Sequence, residues 1–310
     1  MAGRFAPSPT GDLHLGNLRT ALVAWLAARA NGLDFVVRME DLDRVTSSPN
    51  HERRQLTDLD AIGLDWDGDV VRQSERFDRY RSAIADLRAS GRVYPCYCTR
   101  REIRAEVEAA ASAPHGPLPD GAYPGTCREL SDAARAEREA TGRSPAWRLR
   151  TDHEVIDLID VVAGPFAGVV DDVVLARSDG VPAYNLAVVV DDAAQGVTQV
   201  VRGDDLLSST PRQILLQRLL DLPVPDHWHV PLVLGDDGQR LAKRHGSVTL
   251  SDLRDEGWGV TEVVSMLGRS LGLTGPGERV GVGALLDRFD PALLPKAGVH
   301  LSDLRAFRHD

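Results

Sequence analysis

"GRFAPSPTGDLHLGN", Gly3 to Asn17, changes character twice in a short span. "GRFA" reads as a brief strand, and "PSPTGDLHLGN" as a Pro- and Gly-rich turn that runs into a helix. Leu15, Leu18, Leu22, Trp25, Leu26 and Arg29 follow at helical spacing with alanines between them, and Asn31-Gly32 ends the run. "DFVVRME", Asp34 to Glu40, then supplies a compact apolar strand. Strand, helix and strand in that order predict a parallel sheet, with a ligand crevice at the C-terminal ends of its strands.

Outward from this unit, Leu56, Leu59 and Ile62 mark a second helix, and Tyr80, Ile84 and Leu87 a third. From Val93 to Leu130 the texture changes to cysteines, an Ala/Pro/Gly-rich stretch and few periodic apolar residues. That predicts a small inserted lobe. A polar helix around "SDAARAEREA" leads to strands at "AWRLR", "VIDLIDVV" and "DDVVLAR". "PAYNLAVVVDD" reads as a buried strand, "TQVVRGDD" as another, and "TPRQILLQRLL" as a helix. Beyond residue 216 the pattern is loops and short helices. The expected division is 1–92 and 131–215 for two halves of a nucleotide-binding domain, 93–130 for the insertion, and 216–310 for a mostly helical extension.

With 310 residues, 43% of them hydrophobic and 26% charged, the chain can bury a full core. No apolar run approaches the roughly 20 residues of a membrane span. The N-terminus has no signal-peptide core, so no membrane association and a cytoplasmic location are expected. A net charge of −10 argues only weakly against a nucleic-acid partner, because local basic stripes decide phosphate contact. Gly281-Val282-Gly283 is no dinucleotide fingerprint, since Leu286 stands at the third glycine position, and no Walker A sequence is present.

"HLGN", His14 to Asn17, opens the first helix, where unpaired N–H groups and partial positive charge suit a phosphate. His14 can donate to a phosphoryl oxygen, and Gly16 lets a base or ribose approach the backbone. The structural alternative is a capping His14 and a merely packed Gly16. A second candidate is "RLAKRHGS", Arg240 to Ser247. Of 36 Lys plus Arg only Lys243 and Lys296 are lysines, and a mobile point charge at Lys243 suits a moving phosphate. The three cysteines fall in two clusters, Cys96-x-Cys98 and, after 24 residues, Tyr123-x₃-Cys127. Three thiolates leave a tetrahedral zinc one donor short. His115 and Tyr123 are both available.

"RFAPSPTGDLHLGN" together with "RLAKR" resembles the paired signatures of class I aminoacyl-tRNA synthetases, closest to their glutamyl branch. "RMEDLDR", "GLDWDG", "QSERFDRY", "YPCYCT", "PAYNLAVVVDD" and "VVRGDDLLSSTPRQ" resemble that branch in the same order, covering roughly residues 3 to 250. Two departures stand out. Arg240 and Ala242 replace the first lysine and the serine of the usual K-L-S-K-R, and Asn17 ends the first signature in place of histidine. The resemblance implies a Rossmann-like α/β catalytic domain with a zinc-binding insertion. It implies ATP as substrate with Mg²⁺, held through His14, Gly16, Asn17, Arg240 and Lys243, with His14 and Lys243 as the catalytic donors. It implies L-glutamate bound by Arg4, Phe5, Ala6, Pro7, Ser8, Glu40, Tyr184 and Arg202. For Arg202 the structural alternative is an ion pair with Asp204 or Asp205. The resemblance also selects Tyr123 over His115 as fourth ligand beside Cys96, Cys98 and Cys127, because short relatives carry C-x-C…Y-x₃-C.

Full-length glutamyl enzymes continue into anticodon-reading domains, for which the residues after "RLAKRHGS" are too few. The pattern therefore resembles the short glutamyl-queuosine family. Its members activate glutamate without tRNA and transfer it to the queuosine base in the anticodon loop of tRNA(Asp). A monomer is expected. The alternatives are a minimal enzyme charging the 3′ end of tRNA(Glu) and a non-catalytic synthetase-like RNA-binding module.

Overall fold

Strand β1 (Ala2–Phe5), helix α1 (Leu15–Ala30) and strand β2 (Asp34–Met39) form the opening unit, with β1 and β2 parallel and Arg4 opposite Val36. The computed structural model describes residues 1–110, 122–235, 237–239, 241 and 248–306. Arg240, Lys243 and His115 lie outside the described residues. Helix α1 is apolar around most of its circumference, so it is buried on nearly every side rather than along one stripe. Its one deeply buried cation, Arg19, donates to the Pro231 carbonyl at 2.7 Å and to Ser270 Oγ at 3.0 Å, tying the helix to later parts of the chain.

The next elements are α2 (Pro49–Ala61), β3 (Val71–Arg72) and α3 (Phe77–Ala89). Strand β4 (Val93–Cys96), α4 (Arg100–Ala110), α5 (Asp132–Ala140), β5 (Ala146–Leu149), the hairpin β6 (Val155–Asp160) and β7 (Gly164–Val169), and β8 (Val174–Ala176) follow. β4, β5 and β8 make an antiparallel three-stranded sheet that crosses the boundary expected at residue 130. Helix α6 (Tyr184–Ala194), β9 (Val197–Gly203), α7 (Thr210–Leu219) and β10 (Asp226–Val230) complete the main sheet. All of its strands are parallel, in the order β10-β9-β1-β2-β3.

Two expectations are corrected here. "PAYNLAVVVDD" is helix α6, not a strand. A short apolar run rich in valine has no period that separates a buried helix from a buried strand. Beyond residue 216 the chain also contributes β10, an edge strand of the main sheet; its polar spelling, "DHWHV", hid it. The rest of that region is largely helical: α8 (Leu250–Asp255), α9 (Val260–Arg269), α10 (Val282–Asp287) and α11 (Leu301–Arg305). α1, the sheet and these helices share one apolar core. α3, α6 and α7 build a second, and the cysteine lobe has only a small third, made of Tyr94, Cys96, Tyr97, Tyr123 and Cys127. Among the described residues no helix is long and apolar enough to cross a membrane.

Candidate active site and metal centre

The chain crosses from β1 to β2 on one side and returns to β9 on the other, so the sheet's reversal of order lies beside β1. A cavity of about 370 Å³ opens there, at the C-terminal ends of β1, β2 and β9 and the N-terminus of α1. Arg4, Phe5, Ala6, Pro7, Ser8, His14, Gly16, Asn17, Glu40, Tyr184 and Arg202 all line it. The turn between β1 and α1 is held from outside: Gln55 Nε2 donates to the carbonyls of Ser8 (3.0 Å) and Gly11 (2.7 Å), and Glu40 N–H donates to Pro7 O (2.9 Å).

His14 is the N-cap of α1. Its Nδ1 accepts from Asn17 N–H at 3.3 Å, while Asn17 Oδ1 accepts from His14 N–H at 3.3 Å. The capping reading of His14 is thus observed, and the same residue also lines the cavity. An accepting Nδ1 puts the proton of a neutral ring on Nε2, which is then the donor atom. Gly16 is needed for the same arrangement: a Cβ there would stand 3.0 Å from His14 Cε1 and Nδ1. Leu241, Val248 and Thr249 are anchored beside this site. Leu241 N–H donates to Val233 O (3.1 Å), Leu15 N–H donates to Val248 O (2.9 Å), and Thr249 bridges His14.

The charges are arranged asymmetrically. Arg202, at the end of β9, donates to His229 Nε2 (2.9 Å), Gln213 Oε1 (2.7 Å), Thr210 Oγ1 (2.7 Å) and, more weakly, Tyr184 OH (3.4 Å). None of these acceptors is an acid, so the expected alternative of an Asp204 or Asp205 partner is not what holds it. Burial pulls its guanidinium below the usual value, the signature of a cation short of a counter-charge. Arg4 donates to Val201 O (3.2 Å) and lies 3.5 Å from Asp192. Glu40 is 3.3 Å from Arg38. Burial pushes the Glu40 carboxyl up, only partly opposed by Arg38 and Arg4. The lining therefore carries two arginines and two acids, Glu40 largely shielded and Asp205 exposed. Arg4, Arg202 and Glu40 are together the complement of a molecule with two carboxylates and an ammonium.

Sequence reasoning passed over the groups that hold these side chains. Arg38 spans Asp192 (2.6 Å) and Glu40, while Asp191 accepts from Tyr80 OH (2.6 Å) and Arg76 Nε (2.6 Å). The paired acids at the end of "AVVVDD" were the available signal, because adjacent charges closing an apolar run must find buried partners.

In the cysteine lobe the sulfurs of Cys96, Cys98 and Cys127 lie within 4.8 Å of one another. Tyr123 OH is 3.3 Å from Cys96 Sγ and 3.6 Å from Cys98 Sγ, and it accepts from Cys127 N–H at 2.8 Å. Hydrogen bonds from Cys127 and Cys98 hold the Cys96 thiol far below its ordinary value. The three thiols match the sulfur donors of a structural zinc site in kind and spacing, and the Tyr123 hydroxyl is the oxygen nearest to them as a fourth donor. The Arg148 guanidinium stacks 3.7 Å from the Tyr123 ring centre and, with Asp171 accepting from Tyr123 N–H (3.2 Å) and Arg212 (2.6 Å), ties the lobe to α7.

Residues 1–280 match the family described as tRNA synthetases class I (E and Q), catalytic domain. A protein of Nocardia farcinica named glutamyl-Q tRNA(Asp) synthetase is 62% identical over 302 residues, covering 97% of this chain and 93% of that one. A protein of the same name from Symbiobacterium thermophilum is 50% identical, covering 97% of this chain and 96% of its own. The crystal structure of a glutamate tRNA ligase from Elizabethkingia meningosepticum superposes with a TM-score of 0.81 at 28% identity. It covers 99% of this chain and 68% of the ligase.

Proposed function

Because the chain belongs to the class I tRNA synthetases of the E and Q type, as an enzyme of the ligase class, we propose that it activates L-glutamate with ATP in the absence of tRNA and transfers the glutamyl group to queuosine in the anticodon loop of tRNA(Asp). The observation that carries this reading is the single cavity in which an under-compensated arginine, a second arginine and the largely shielded Glu40 meet at the N-terminus of α1. Relatives bearing the glutamyl-Q name match along nearly their whole length and support tRNA(Asp) as the acceptor.

The chemistry follows from the charges. Arg202 takes one substrate carboxylate, Arg4 orients the other, and Glu40 with the Tyr184 hydroxyl takes the ammonium. The oriented carboxylate oxygen attacks the α-phosphorus of ATP in line; the new O–P bond forms as the bond to pyrophosphate breaks. Charge then builds on the phosphoryl oxygens, where His14 Nε2–H and the Lys243 ammonium donate. Mg²⁺ accompanying the ATP would supply further neutralisation of phosphate charge. A hydroxyl of the acceptor nucleoside next attacks the activated carbonyl, and AMP leaves. Cys96, Cys98, Cys127 and Tyr123 hold zinc in a structural role, binding together a lobe whose apolar core is small.

Labelled glutamate incubated with ATP, enzyme and defined RNAs tests the acceptor. Label on queuosine-containing tRNA(Asp), and none on the same tRNA lacking queuosine, is expected. Label at the 3′ end of tRNA(Glu) would replace the reading with a minimal glutamyl-tRNA synthetase. Retention of RNA without any transfer would point to a non-catalytic module.

A further inference from the structure

His229 sits on β10 directly behind Arg202, and its two ring nitrogens face opposite ways. Nδ1 is 2.5 Å from Asp160 Oδ2, and Nε2 is 2.9 Å from Arg202 Nε. The ring, Asp160 and Arg202 are all buried. An arginine Nε–H can only donate, so Nε2 must accept, and the ring proton must lie on Nδ1 toward the carboxylate. Asp160 is fixed in turn by the backbone: it closes β6 and accepts from the N–H groups of Val162 (2.9 Å), Ala163 (2.8 Å) and His229 itself (3.1 Å).

We infer that Asp160 and His229 are positioning residues for the substrate carboxylate: they hold Arg202 by its Nε edge through a neutral imidazole, and so fix the guanidinium without neutralising it. This deepens the functional reading above and rests on it. A carboxylate placed directly on Arg202 would occupy the fork and supply the counter-charge that the substrate is meant to bring. One imidazole set between them keeps the negative charge near enough to orient the ring but off the arginine. Thr210, Gln213 and Tyr184 complete the cradle with neutral oxygens.

The surroundings keep the ring neutral. Burial, with the positive charges of Arg202 and Arg4, outweighs the pull of Asp160 and holds His229 below its ordinary value. Its stacked neighbour on the same strand, His227, is driven down to about 3 by burial and the same arginines. On the far side Asp204 and Lys296 border a separate cavity of about 450 Å³ that His229 also lines. Asp160, in contrast, stays ionised: burial raises its carboxyl, but the His229 and backbone hydrogen bonds outweigh that and bring it to about 2.

Glutamate-dependent ATP–pyrophosphate exchange by the full chain, without RNA, tests the role through three variants. His229→Leu fills the space but cannot accept. It should raise the KM for glutamate by about 10–100-fold with the KM for ATP unchanged, as expected when a hydrogen bond to a charged group is lost. It should also lower the preference for glutamate over glutamine, since a loosened Arg202 rejects the neutral amide less well. His229→Gln, whose Oε1 can replace Nε2, should recover most of both losses. Asp160→Asn permits the wrong tautomer, setting N–H against N–H at Arg202, and should shift KM in the same direction as His229→Leu. Wild-type glutamate KM and selectivity in both His229→Leu and Asp160→Asn would overturn the inference, as would equal losses in His229→Leu and His229→Gln. A wild-type chain with no glutamate-dependent exchange would overturn the functional reading and this inference together.

Discussion

Arg38 Nη1 donates to Asp192 Oδ1 at 2.6 Å with both side chains buried, and that same carboxylate oxygen lies 3.5 Å from Arg4 Nε. One acid at the end of α6 therefore orients two arginines, the structural Arg38 of β2 and the cavity-lining Arg4 of β1. Because Arg38 also lies 3.3 Å from Glu40, the acidic and basic halves of the cavity hang from one buried cluster.

Removing the centre of that cluster takes the nearest cation from Asp192 and Glu40, leaving Asp192 with Arg4 at 3.5 Å and Asp191 with Arg76 at 2.6 Å. Arg38→Met should lose about 3–5 kcal/mol in urea unfolding near neutral pH, the usual cost of breaking a buried pair. Burial pushes Asp192 up, but Arg38 and Arg4 outweigh this and set it below 3.8. Its contribution is thus fully present above the unfolded value and is lost as pH falls through the lower folded value. The gap between wild type and variant should accordingly narrow on acidification, and a pH series of unfolding curves checks it.

Glu40 shows the opposite sign. Its carboxyl lies above 4.5, because burial outweighs the arginines, so it gains a proton at a pH where exposed glutamates are still charged. Once protonated it no longer attracts an ammonium. The KM for glutamate should rise as pH falls through that raised value, and Glu40→Gln should start from a high KM and show no such rise. Exchange kinetics across an acid pH series measure both.

Gly16→Ala separates activity from stability. Alanine is the better helix former by about 1 kcal/mol, so unfolding should change little. Its Cβ would nevertheless meet the His14 ring at 3.0 Å and turn the Nε2 donor. Exchange should fall by about 10-fold or more, toward the 10²–10³ of a lost transition-state donor. A thermal melt and a rate on the same sample decide it.

For the metal centre, Cys127→Ser should abolish stoichiometric zinc. Tyr123→Phe should weaken it by more than the roughly 10–100-fold cost of losing an outer partner. Chelation should lower the melting temperature of wild type and leave Cys127→Ser unmoved. Elemental analysis and melts with and without chelator provide the readouts.

Much of this was legible because motif and periodicity agreed. The βαβ opening placed Arg4, His14 and Glu40 at strand and helix ends, and the cysteine spacing carried its own geometry. Three kinds of feature were not legible. The helical state of α6 was hidden by valines that suit either secondary structure, and β10 by polar spelling, since its histidines are buried on tertiary partners. The Asp160–His229–Arg202 chain joins three separate strands, and no local pattern announces a contact made 69 residues apart. Lys243, inferred from its rarity among arginines, lies outside the described residues, and its role rests on sequence together with the anchoring of Leu241 and Val248 beside the cavity.

ATP–pyrophosphate exchange by the purified chain, with glutamate as the sole amino acid and ribonuclease present, tests tRNA-independent activation most directly. The account predicts sustained exchange that needs glutamate, survives ribonuclease and falls by about 10²–10³ in Lys243→Ala. Exchange that appears only when tRNA is added, or that Lys243→Ala leaves untouched, would contradict it.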